Sequence, residues 1–323
     1  MSEFHWISWL QANLAAHEQR MRLAGSVGPW PSADHGRLIT APGDDSAVMH
    51  GGSGDLLLAA DMLMDGVHFD LRTTPPHLVG RKALAVNLSD LAAMAGAPES
   101  ATVCLALPKT GGEELAKALY SGLLPLAEEY GLTIAGGDTN AWDGPLVISV
   151  AITGRAHPRG SVLRSGAVAG DWVCVTGALG GSILGHHLSF TPRLREAWQL
   201  HRDYGLHAML DLSDGLAGDL RHILTASGVG ARLDAAALPI SPAARGLAAG
   251  QADPRTAAQQ HALSDGEDFE LCFTLPEAAA QRLLDAQPLP GVTISKIGEV
   301  TAAKGLVWQG GGAVALGGWQ HMF

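Results

Sequence analysis

Cysteine and positive charge are both scarce in this chain. The 323 residues include only three cysteines, and each lies between apolar neighbours: Cys104, Cys174 and Cys272. An odd number without a C-x-x-C pair argues against a disulfide framework and against a cysteine-based zinc site. With 21 Lys and Arg against 32 Asp and Glu, the formal net charge is −11. This charge disfavours nucleic acid as a partner, because phosphate backbones need a basic surface.

Long hydrophobic runs are also missing. No apolar stretch reaches the roughly 18 residues that a membrane-spanning helix needs. The N-terminus carries Glu3 where a secretory signal has positive charge, and no apolar segment with a cleavage site follows. The sequence therefore predicts a reduced, cytoplasmic protein with no membrane partner.

Several familiar nucleotide and hydrolase motifs are absent. The chain has no G-x-x-x-x-G-K-[ST] loop and no G-x-S-x-G elbow, which excludes P-loop enzymes and typical α/β-hydrolases. The triplet His201–Asp203 imitates the protein-kinase catalytic HRD, but Ala208 stands where that motif has asparagine. The glycine-rich turn Gly177–Ser182 lacks the dinucleotide spacing, so it either presents N–H groups to an anion or serves packing alone.

What the chain does contain is enough apolar material for two domains. Hydrophobic residues make up 47% and charged residues 16%, and the length favours about two domains. Strand-like and helix-like segments alternate in both halves, which indicates an α/β (α+β) fold. The Gly/Ser/Arg-rich segment His157–Gly170 is the predicted linker, so we place the domains at residues 1–158 and 159–323.

The spacing of apolar residues predicts the main helices. The first 22 residues predict an amphipathic N-terminal helix, and two longer helices are predicted over Pro76–Ala95 and Gly112–Tyr130. In the second half, a helix is predicted from Ile183, directly after the glycine-rich turn.

Short Gly-linked or Ser-linked acidic units are the main chemical signal. Six of them occur: Gly43–Ser46, Asp61–Gly66, Asn87–Asp90, Gly136–Asp138, Asp211–Gly215 and Ser264–Asp268. A single unit of this kind is most often a turn or a helix cap. Several lie at strand ends or helix starts, where α/β folds bind ligands, so the set predicts one shared site.

Converging carboxylates need a counter-ion. Two like charges about 4 Å apart repel by roughly 4 kcal/mol at an effective dielectric near 20. Aspartates without a His or Cys set favour Mg²⁺ or Mn²⁺, and Mg²⁺ commonly shares its ligands with substrate phosphates. The residues themselves therefore predict a magnesium-bridged polyphosphate site. Three other positions allow simple interpretations. Arg164, in the glycine-bounded linker, is either a surface arginine or a phosphate clamp. His68 belongs to the core or to the site, and His186-His187 is expected on a helix surface.

These units, in this order, resemble thiamine-monophosphate kinases of the aminoimidazole-ribonucleotide-synthetase superfamily. The most specific stretches are VNLSDLAAM (86–94), DLSDGLAGDL (211–220) and GEDFEL (266–271). GGDT at 136–139 would be weak alone, and further matches extend from residue 43 to the C-terminal GWQHMF.

The resemblance implies ATP-dependent phosphorylation of thiamine monophosphate to thiamine diphosphate by direct in-line transfer, with several Mg²⁺ ions and ATP as co-substrate. The implied metal positions are Asp45, Asp61, Asp90, Asp138, Asp211 and Asp214, together with Ala59 and Ala60. The implied ATP contacts are Gly137, Asp138, Arg164, Ser213 and Tyr120. The implied thiamine monophosphate contacts are His68, Glu267 and Trp319. A homodimer with packed N-terminal mixed sheets is also implied, with the site in the cleft between the domains.

The implied chemistry needs no general base from the protein. The acceptor is itself a phosphate, so catalysis reduces to positioning and charge neutralisation. Glu267 and Trp319 suit a cationic thiazolium and a pyrimidine ring, through charge pairing and cation–π contact.

Some positions depart from the family pattern. Ala59 and Ala60 replace residues that usually carry hydroxyl groups, which leaves only backbone carbonyls for a metal. Asp265 replaces a glycine and is expected to add negative charge beside Glu267, and Asn140 replaces a threonine. Two alternatives therefore stay open: another ATP-using enzyme of the superfamily, or a catalytically inactive nucleotide- or metal-binding homologue.

Overall fold

Two six-stranded sheets and the helices packed on them make up the described part of the computed structural model, residues 38–40, 44–50, 54–315 and 317–318. The predicted N-terminal helix over the first 22 residues lies outside these ranges, as does Trp319. Each sheet is mixed and carries helices, which confirms the α/β prediction. Within the described ranges, no helix has both the length and the hydropathy of a membrane span.

The first sheet has an inner face that is buried and an outer face that is exposed. Its strands are β1 (Leu38–Thr40), β2 (Ala47–His50), β3 (Asp55–Met64), β4 (Ala97–Pro108), β5 (Thr133–Trp142) and β6 (Val147–Arg155). The spatial order is β1-β2-β3-β6-β4-β5, with β4 and β5 parallel and the other pairs antiparallel. Along β3, Leu57 and Leu63 face the core, and Leu58 and Met62 face outward, as the two-residue period of a strand requires.

Two helices, α1 (Pro76–Ala93) and α2 (Gly112–Glu129), cover the inner face of this sheet. They approach each other closely because glycines stand at the contact. A methyl group on Gly80 would lie 1.9 Å from the carbonyl oxygen of Leu119, and one on Gly122 would lie 1.7 Å from a carbonyl oxygen of α1. The two glycines therefore set the spacing of the helices.

The second sheet follows after a connection, residues 156–171, that contains neither helix nor strand. Its strands are β7 (Trp172–Thr176), β8 (Ala208–Asp211), β9 (Gly230–Leu233), β10 (Leu271–Leu275), β11 (Ile294–Thr301) and β12 (Gly305–Trp308). The order is β12-β9-β11-β7-β10-β8, with β12 and β9 parallel. The helices of this half are α3 (His186–Ser189), α4 (Leu194–Tyr204), α5 (Leu216–Ser227), α6 (Pro242–Ala248), α7 (Pro254–Ser264) and α8 (Glu277–Ala286). The predicted domain boundary at residues 158 and 159 falls inside the connection and stays a prediction.

Helix α1 lies between the two halves of the molecule. Thirteen of its 18 residues are buried, which is typical of a helix with neighbours on all sides. It contacts β3 and β6 of the first sheet, and α4 and β8 of the second half. One hydrophobic cluster accordingly runs from the first sheet through α1 to Phe269 and Phe273. The few polar side chains of α1 are therefore held at the boundary between the halves.

The helix predicted from Ile183 is present only as two short helical turns. Residues Ser182–Leu184 form one 3-10 turn, and the four-residue α3 follows. Gly181 and Gly185, on either side of this turn, have φ angles of 74° and 128°. Such positive angles interrupt a helix, so the chain makes two short turns here instead of one long element.

Candidate active site

Carboxylates from three separate elements converge between the halves. Asp45 precedes β2, Asp90 lies in the last turn of α1, and Asp211 is the final residue of β8. Each offers an oxygen, and these oxygens lie within 4.8 Å of one another. Asp61, on the inner face of β3, joins them through a side-chain hydrogen bond with Asp90. Four of the six predicted aspartates therefore form one cluster.

Polar side chains of α1 hold two of these aspartates in place. The Asn87 carboxamide oxygen accepts the backbone N–H of Asp61 at 3.2 Å. The Ser89 hydroxyl donates to Asp211 Oδ2 at 2.5 Å, across the boundary between the halves. Both side chains are buried, so the hydrogen bonds are shielded from water and fix the geometry. The motif VNLSD thus supplies one aspartate of the cluster and orients two others.

Burial and mutual repulsion make it costly to ionise the whole cluster. Burial, reinforced by the charge of Asp45, raises the pKa of Asp211 to about 8 and that of Asp61 to about 6. Burial, then the charges of Asp61 and Asp211, raises the pKa of Asp90 well above its usual range. The charge of Arg164 opposes this effect by lowering the pKa of Asp90 and Asp211. Its Nη2 and Nε donate to the two carboxylate oxygens of Asp45 at 2.8 and 3.2 Å. One guanidinium does not balance four carboxylates.

The cluster fits a hard divalent cation. Its converging donors are all carboxylate oxygens, which Mg²⁺ prefers over nitrogen or sulfur. With Mg–O distances of about 2.1 Å, ligand oxygens lie roughly 3–4 Å apart, close to the spread found here. A doubly charged ion would also favour the ionised carboxylates that burial alone disfavours.

Asp138 does not join this cluster within its own chain. Strand register aligns Asp61 on β3 with Gly137 on β5, through β6 and β4. Three strand spacings separate them, roughly 14 Å at about 4.8 Å each. Asp138 pairs with Cys104, and both residues are exposed. They lie on the outer face with Met62, whereas Asp61 points inward to α1. The prediction that all six aspartates meet is therefore not met by a single chain.

Other predicted metal and ATP positions are dispersed as well. The Ala59 side chain is part of the hydrophobic core, and Ala60 faces outward. Since alanine has no side-chain oxygen, a metal role for either stays a prediction about its backbone carbonyl. Gly137 lies on β5, which is exposed along most of its length. Tyr120 packs against the core from α2, where burial raises its pKa. Among the described residues, Ala59, Ala60, Gly137 and Tyr120 do not line the cleft that opens beside the carboxylate cluster.

A cleft of about 900 Å³ opens beside the cluster. Seven predicted site residues line it: Asp61, Asp90, Asp211, Ser213, Asp214, His68 and Glu267. Its apolar lining includes Val67, Ile183 and Phe269. The cleft thus brings predicted metal, ATP and substrate residues to one place, with room for more than the metal ions alone.

His68 belongs to the site rather than only to the core. It follows β3 in a turn and lines the cleft, and its Nδ1 accepts the backbone N–H of Met64 at 3.0 Å. An accepting Nδ1 places the ring proton on Nε2. In the pair His186-His187, His186 is exposed as predicted, but His187 is buried and lines the cleft. Its Nδ1–H donates to the Ser182 carbonyl at 2.8 Å.

The glycine-rich turn Gly177–Ser182 binds carboxylates of the protein itself. The Gly180 N–H donates to both oxygens of Asp268 at 2.9 and 3.0 Å, and the Ser182 hydroxyl donates to the same side chain. The Gly181 N–H donates to Asp265 at 2.8 Å. The N–H groups of the turn therefore do face anions, as one of the two interpretations from the sequence held, but these anions are side chains of the protein itself.

Asp265 is less disruptive than its departure from the family pattern implied. Its carboxylate accepts from Gly181 N–H and contacts His261 Nδ1 at 2.9 Å. Its φ angle is −67°, so the position does not need glycine. The positive φ angles of this segment fall on Gly266 (74°) and Glu267 (55°). The Asp265 carboxylate is therefore hydrogen-bonded to Gly181 and His261 rather than to Glu267.

Sequence reasoning missed the polar residues that organise the site from α1. Lys82, Asn87 and Ser89 are fully or almost fully buried, yet none was singled out for a role. The available signal was polar side chains within an otherwise apolar helix, since such groups are buried only when hydrogen-bonded.

Comparison with known proteins agrees with this architecture. Residues 43–156 match the model of the AIR synthase related protein N-terminal domain, and residues 168–310 match that of the C-terminal domain. A thiamine-monophosphate kinase from Rhodopirellula baltica is 44% identical over 76% of each chain. One from Salmonella typhimurium is 40% identical over 81% of this chain and 84% of its own. The chain belongs to the thiamine-monophosphate kinase family.

Solved structures of this family share the whole fold. The structure of AaThiL complexed with AMPPCP and TMP has a TM-score of 0.80 at 28% identity, covering 99% of this chain and 97% of that chain. The thiamine-monophosphate kinase from Stenotrophomonas maltophilia has a TM-score of 0.70 at 31% identity, covering 93% and 96%. The Escherichia coli hydrogenase maturation protein HypE, at 20% identity and a TM-score of 0.67, covers 96% of this chain and 97% of its own and shares the fold alone.

Proposed function

We propose that this protein transfers the γ-phosphoryl group of ATP to thiamine monophosphate, giving thiamine diphosphate and ADP. The observation that carries the proposal is the cleft in which the buried carboxylate cluster meets the predicted substrate residues. The names of its relatives support it, and so does AaThiL, which was solved with AMPPCP, an ATP analogue, and TMP. Because so many predicted site residues line one cleft, we favour an active kinase over a catalytically inactive homologue.

In this proposal the protein binds and orients two phosphate-bearing substrates. Asp45, Asp61, Asp90 and Asp211 would hold Mg²⁺, which supplies charge neutralisation at the transferring phosphoryl group when bound. Asp214 and Ser213 follow Asp211 into the cleft and would extend the metal and ATP contacts. Arg164 donates to Asp45 in this structure. Its guanidinium would contact a substrate phosphate in the same way, because it donates to phosphate as well as to carboxylate oxygens. No side chain is assigned as a general base.

The thiamine monophosphate end of the cleft is assigned to His68 and Glu267. The Glu267 carboxylate would pair with the positive thiazolium ring, and the Nε2–H tautomer of His68 offers a donor. Val67 and Ile183 supply apolar surface for the rings. Trp319, Tyr120 and Gly137 remain sequence predictions for substrate and ATP contacts, as does a cytoplasmic location.

The test is product formation by the full chain. The protein is incubated with ATP, Mg²⁺ and thiamine monophosphate, and thiamine diphosphate is measured by chromatography. We expect one ADP for each thiamine diphosphate, and no product when EDTA replaces Mg²⁺. Stoichiometric ATP binding without thiamine diphosphate would favour an inactive homologue. ADP formation that thiamine monophosphate does not accelerate would favour another enzyme of the superfamily.

We also propose that the protein works as a homodimer in which Asp138 serves the partner's site. The outer face of the first sheet exposes Leu58 and Met62, 41% and 55% accessible, and such apolar surface favours a protein interface. Asp138 lies on this face, roughly three strand spacings of about 4.8 Å from its own Asp61. Because its own chain does not bring Asp138 to the carboxylate cluster, we assign Asp138 to the cluster of the partner.

A further inference from the structure

Lys82 is a buried lysine with no role in the proposed chemistry so far. It lies on α1, four residues before Val86 and eight before Asp90, both of which line the cleft. That spacing places the three side chains on one side of the helix. The Lys82 side chain is 0% exposed, so its ammonium group depends wholly on protein partners.

The ammonium group joins the two halves of the molecule at the substrate residues. Nζ donates to Glu267 Oε1 at 2.6 Å and to the backbone carbonyl of His68 at 2.8 Å. Glu267 comes from the second half and the turn of His68 from the first, 185 and 14 positions away from Lys82. Both residues line the cleft. One cation therefore connects the two predicted thiamine monophosphate contacts.

Glu267 is held in a conformation that its own backbone disfavours. Its φ angle is 55°, and that of Phe269 is 49°, a left-handed region that is strained for residues other than glycine. Hydrogen bonds from Glu267 N–H to the Ser213 carbonyl, and from Phe269 N–H to the Leu212 carbonyl, fix the segment at 2.7 and 2.8 Å. The Glu267 side chain is 27% exposed, so its carboxylate reaches the cleft from this fixed backbone.

Stability alone gives little reason for this ion pair. Burying a lysine lowers its pKa, and here burial outweighs the opposing charge of Glu267. A buried ion pair often adds no net stability over apolar side chains of similar size. A pair that orients a binding group has a different use, because a preorganised carboxylate loses less freedom when the ligand arrives.

We propose that Lys82 is a positioning residue for substrate binding: anchored on the His68 carbonyl, it holds the Glu267 carboxylate in the orientation that receives the cation of thiamine monophosphate. This rests on the proposed function for the identity of the substrate. Lys82 acts through Glu267 and does not touch ATP or the transferring phosphoryl group.

The experiment is a double-mutant cycle on the full chain with Lys82→Met, Glu267→Gln and the double variant. The KM values for thiamine monophosphate and for ATP are measured separately, with thiamine monophosphate affinity by calorimetry. We expect Lys82→Met to raise the KM for thiamine monophosphate about tenfold or more, with the KM for ATP changed less than about threefold. In the Glu267→Gln background, Lys82→Met should add less than about twofold, because the group it orients is gone. Lys117→Met removes an exposed lysine paired with Glu113 at 2.6 Å and serves as the matched control.

The outcomes separate this inference from the proposed function. Equal effects of Lys82→Met in both backgrounds, or parallel rises in both KM values, would overturn the positioning role. If Lys82→Met does not fold, the double variant is used instead, because it leaves no charge buried at the position of the pair. Its affinity for thiamine monophosphate is then compared with that of Glu267→Gln. A further large loss of affinity there also counts against the inference. Wild-type protein that makes no thiamine diphosphate and binds no thiamine monophosphate contradicts the proposed function instead.

Discussion

Aspartates of this chain perform three different tasks that their residue type does not distinguish. Asp90 belongs to the cluster that fits Mg²⁺. Asp219 is buried and accepts the backbone N–H groups of Asp214 and Gly215 at 3.0 and 2.9 Å, so it shapes the loop that leads into the cleft. Asp268 is the carboxyl group that accepts hydrogen bonds from the glycine-rich turn. Each task follows from what surrounds the carboxylate, because burial and nearby donors decide its charge and partners.

Asp268 should impose a pH dependence on stability. Burial raises its pKa to about 7, despite hydrogen bonds from Ser182 and Gly180. An unfolded chain has an aspartate pKa near 3.9, so between about pH 4 and 7 the folded protein retains a proton that the unfolded chain releases. The free energy of unfolding therefore falls as pH rises through this window, by at most about 1.4 kcal/mol per pH unit, and levels off above it.

Replacing Asp268 by asparagine removes this titration. Urea unfolding of wild-type protein and Asp268→Asn at pH 5, 6, 7 and 8 should show a smaller decline for the variant, by about 2.6 kcal/mol over the range. Asp285→Asn, on the exposed side of α8, is the control and should keep the wild-type slope. Parallel slopes for wild type and Asp268→Asn would contradict the assignment.

At the scale of elements, α1 organises both the fold and the site. It packs against the first sheet and against the second half, and it carries Lys82, Asn87, Ser89 and Asp90 to the boundary. Its position depends on close contact with α2, because the glycines at the crossing leave no space for a side chain. A shift of α1 would move three hydrogen-bonded polar groups at once, so the site depends on helix packing.

Gly80→Ala tests this dependence. The new methyl group would lie 1.9 Å from the Leu119 carbonyl oxygen, so backbone must move, and we expect a loss of about 2–3 kcal/mol in the free energy of unfolding. Gly246→Ala is the matched control, because Gly246 is also helical but has nothing within 4 Å of the added atom. It should be neutral or stabilising by up to about 1 kcal/mol, since alanine favours helix. Urea unfolding measures both, and equal effects would refute the role of the close contact.

At the scale of the whole molecule, Asp138 lies away from the carboxylate cluster of its own chain. Its partners within the chain are the Thr139 N–H and the Asn140 carboxamide, at 2.9 and 2.8 Å. Asn140, one of the departures from the family pattern, thus orients Asp138 on the exposed strand β5. In the proposed dimer this carboxylate would join the cluster of the second copy, so that each copy would complete the site of the other.

Subunit mixing tests the exchange. Asp61→Asn and Asp138→Asn alone should each lose at least about 100-fold in turnover, because each removes a carboxylate that the proposed function assigns to Mg²⁺. If Asp138 serves the partner, a mixture refolded at equal amounts contains heterodimers with one intact site, and about a quarter of wild-type activity should return. Light scattering checks that every sample is dimeric. Recovery of no activity would place Asp138 in its own chain's site, whereas undiminished turnover of Asp138→Asn alone would place it outside catalysis.

The sequence was a good guide to local structure and to the class of chemistry. The apolar periodicity predicted α1 to within two residues at its end, and β-strand alternation indicated both sheets. It failed at Ile183, where positive φ angles at neighbouring glycines interrupt the helix. It also missed α7, although Asp253 before a proline, capping Thr256 N–H at 3.2 Å, is a readable start signal.

The sequence by itself determined which chemistry this protein offers: carboxylate oxygens in fixed short motifs, with too few histidines and cysteines among them for zinc. Only the tertiary structure decided which of those residues meet. Asp45, Asp90 and Asp211 converge, while Asp138 lies on the other face of its sheet. Lys82 reaches Glu267 across 185 positions. Local patterns specify helices and strands, whereas contacts between distant segments depend on how α1 packs between the halves, and no local spacing encodes that packing.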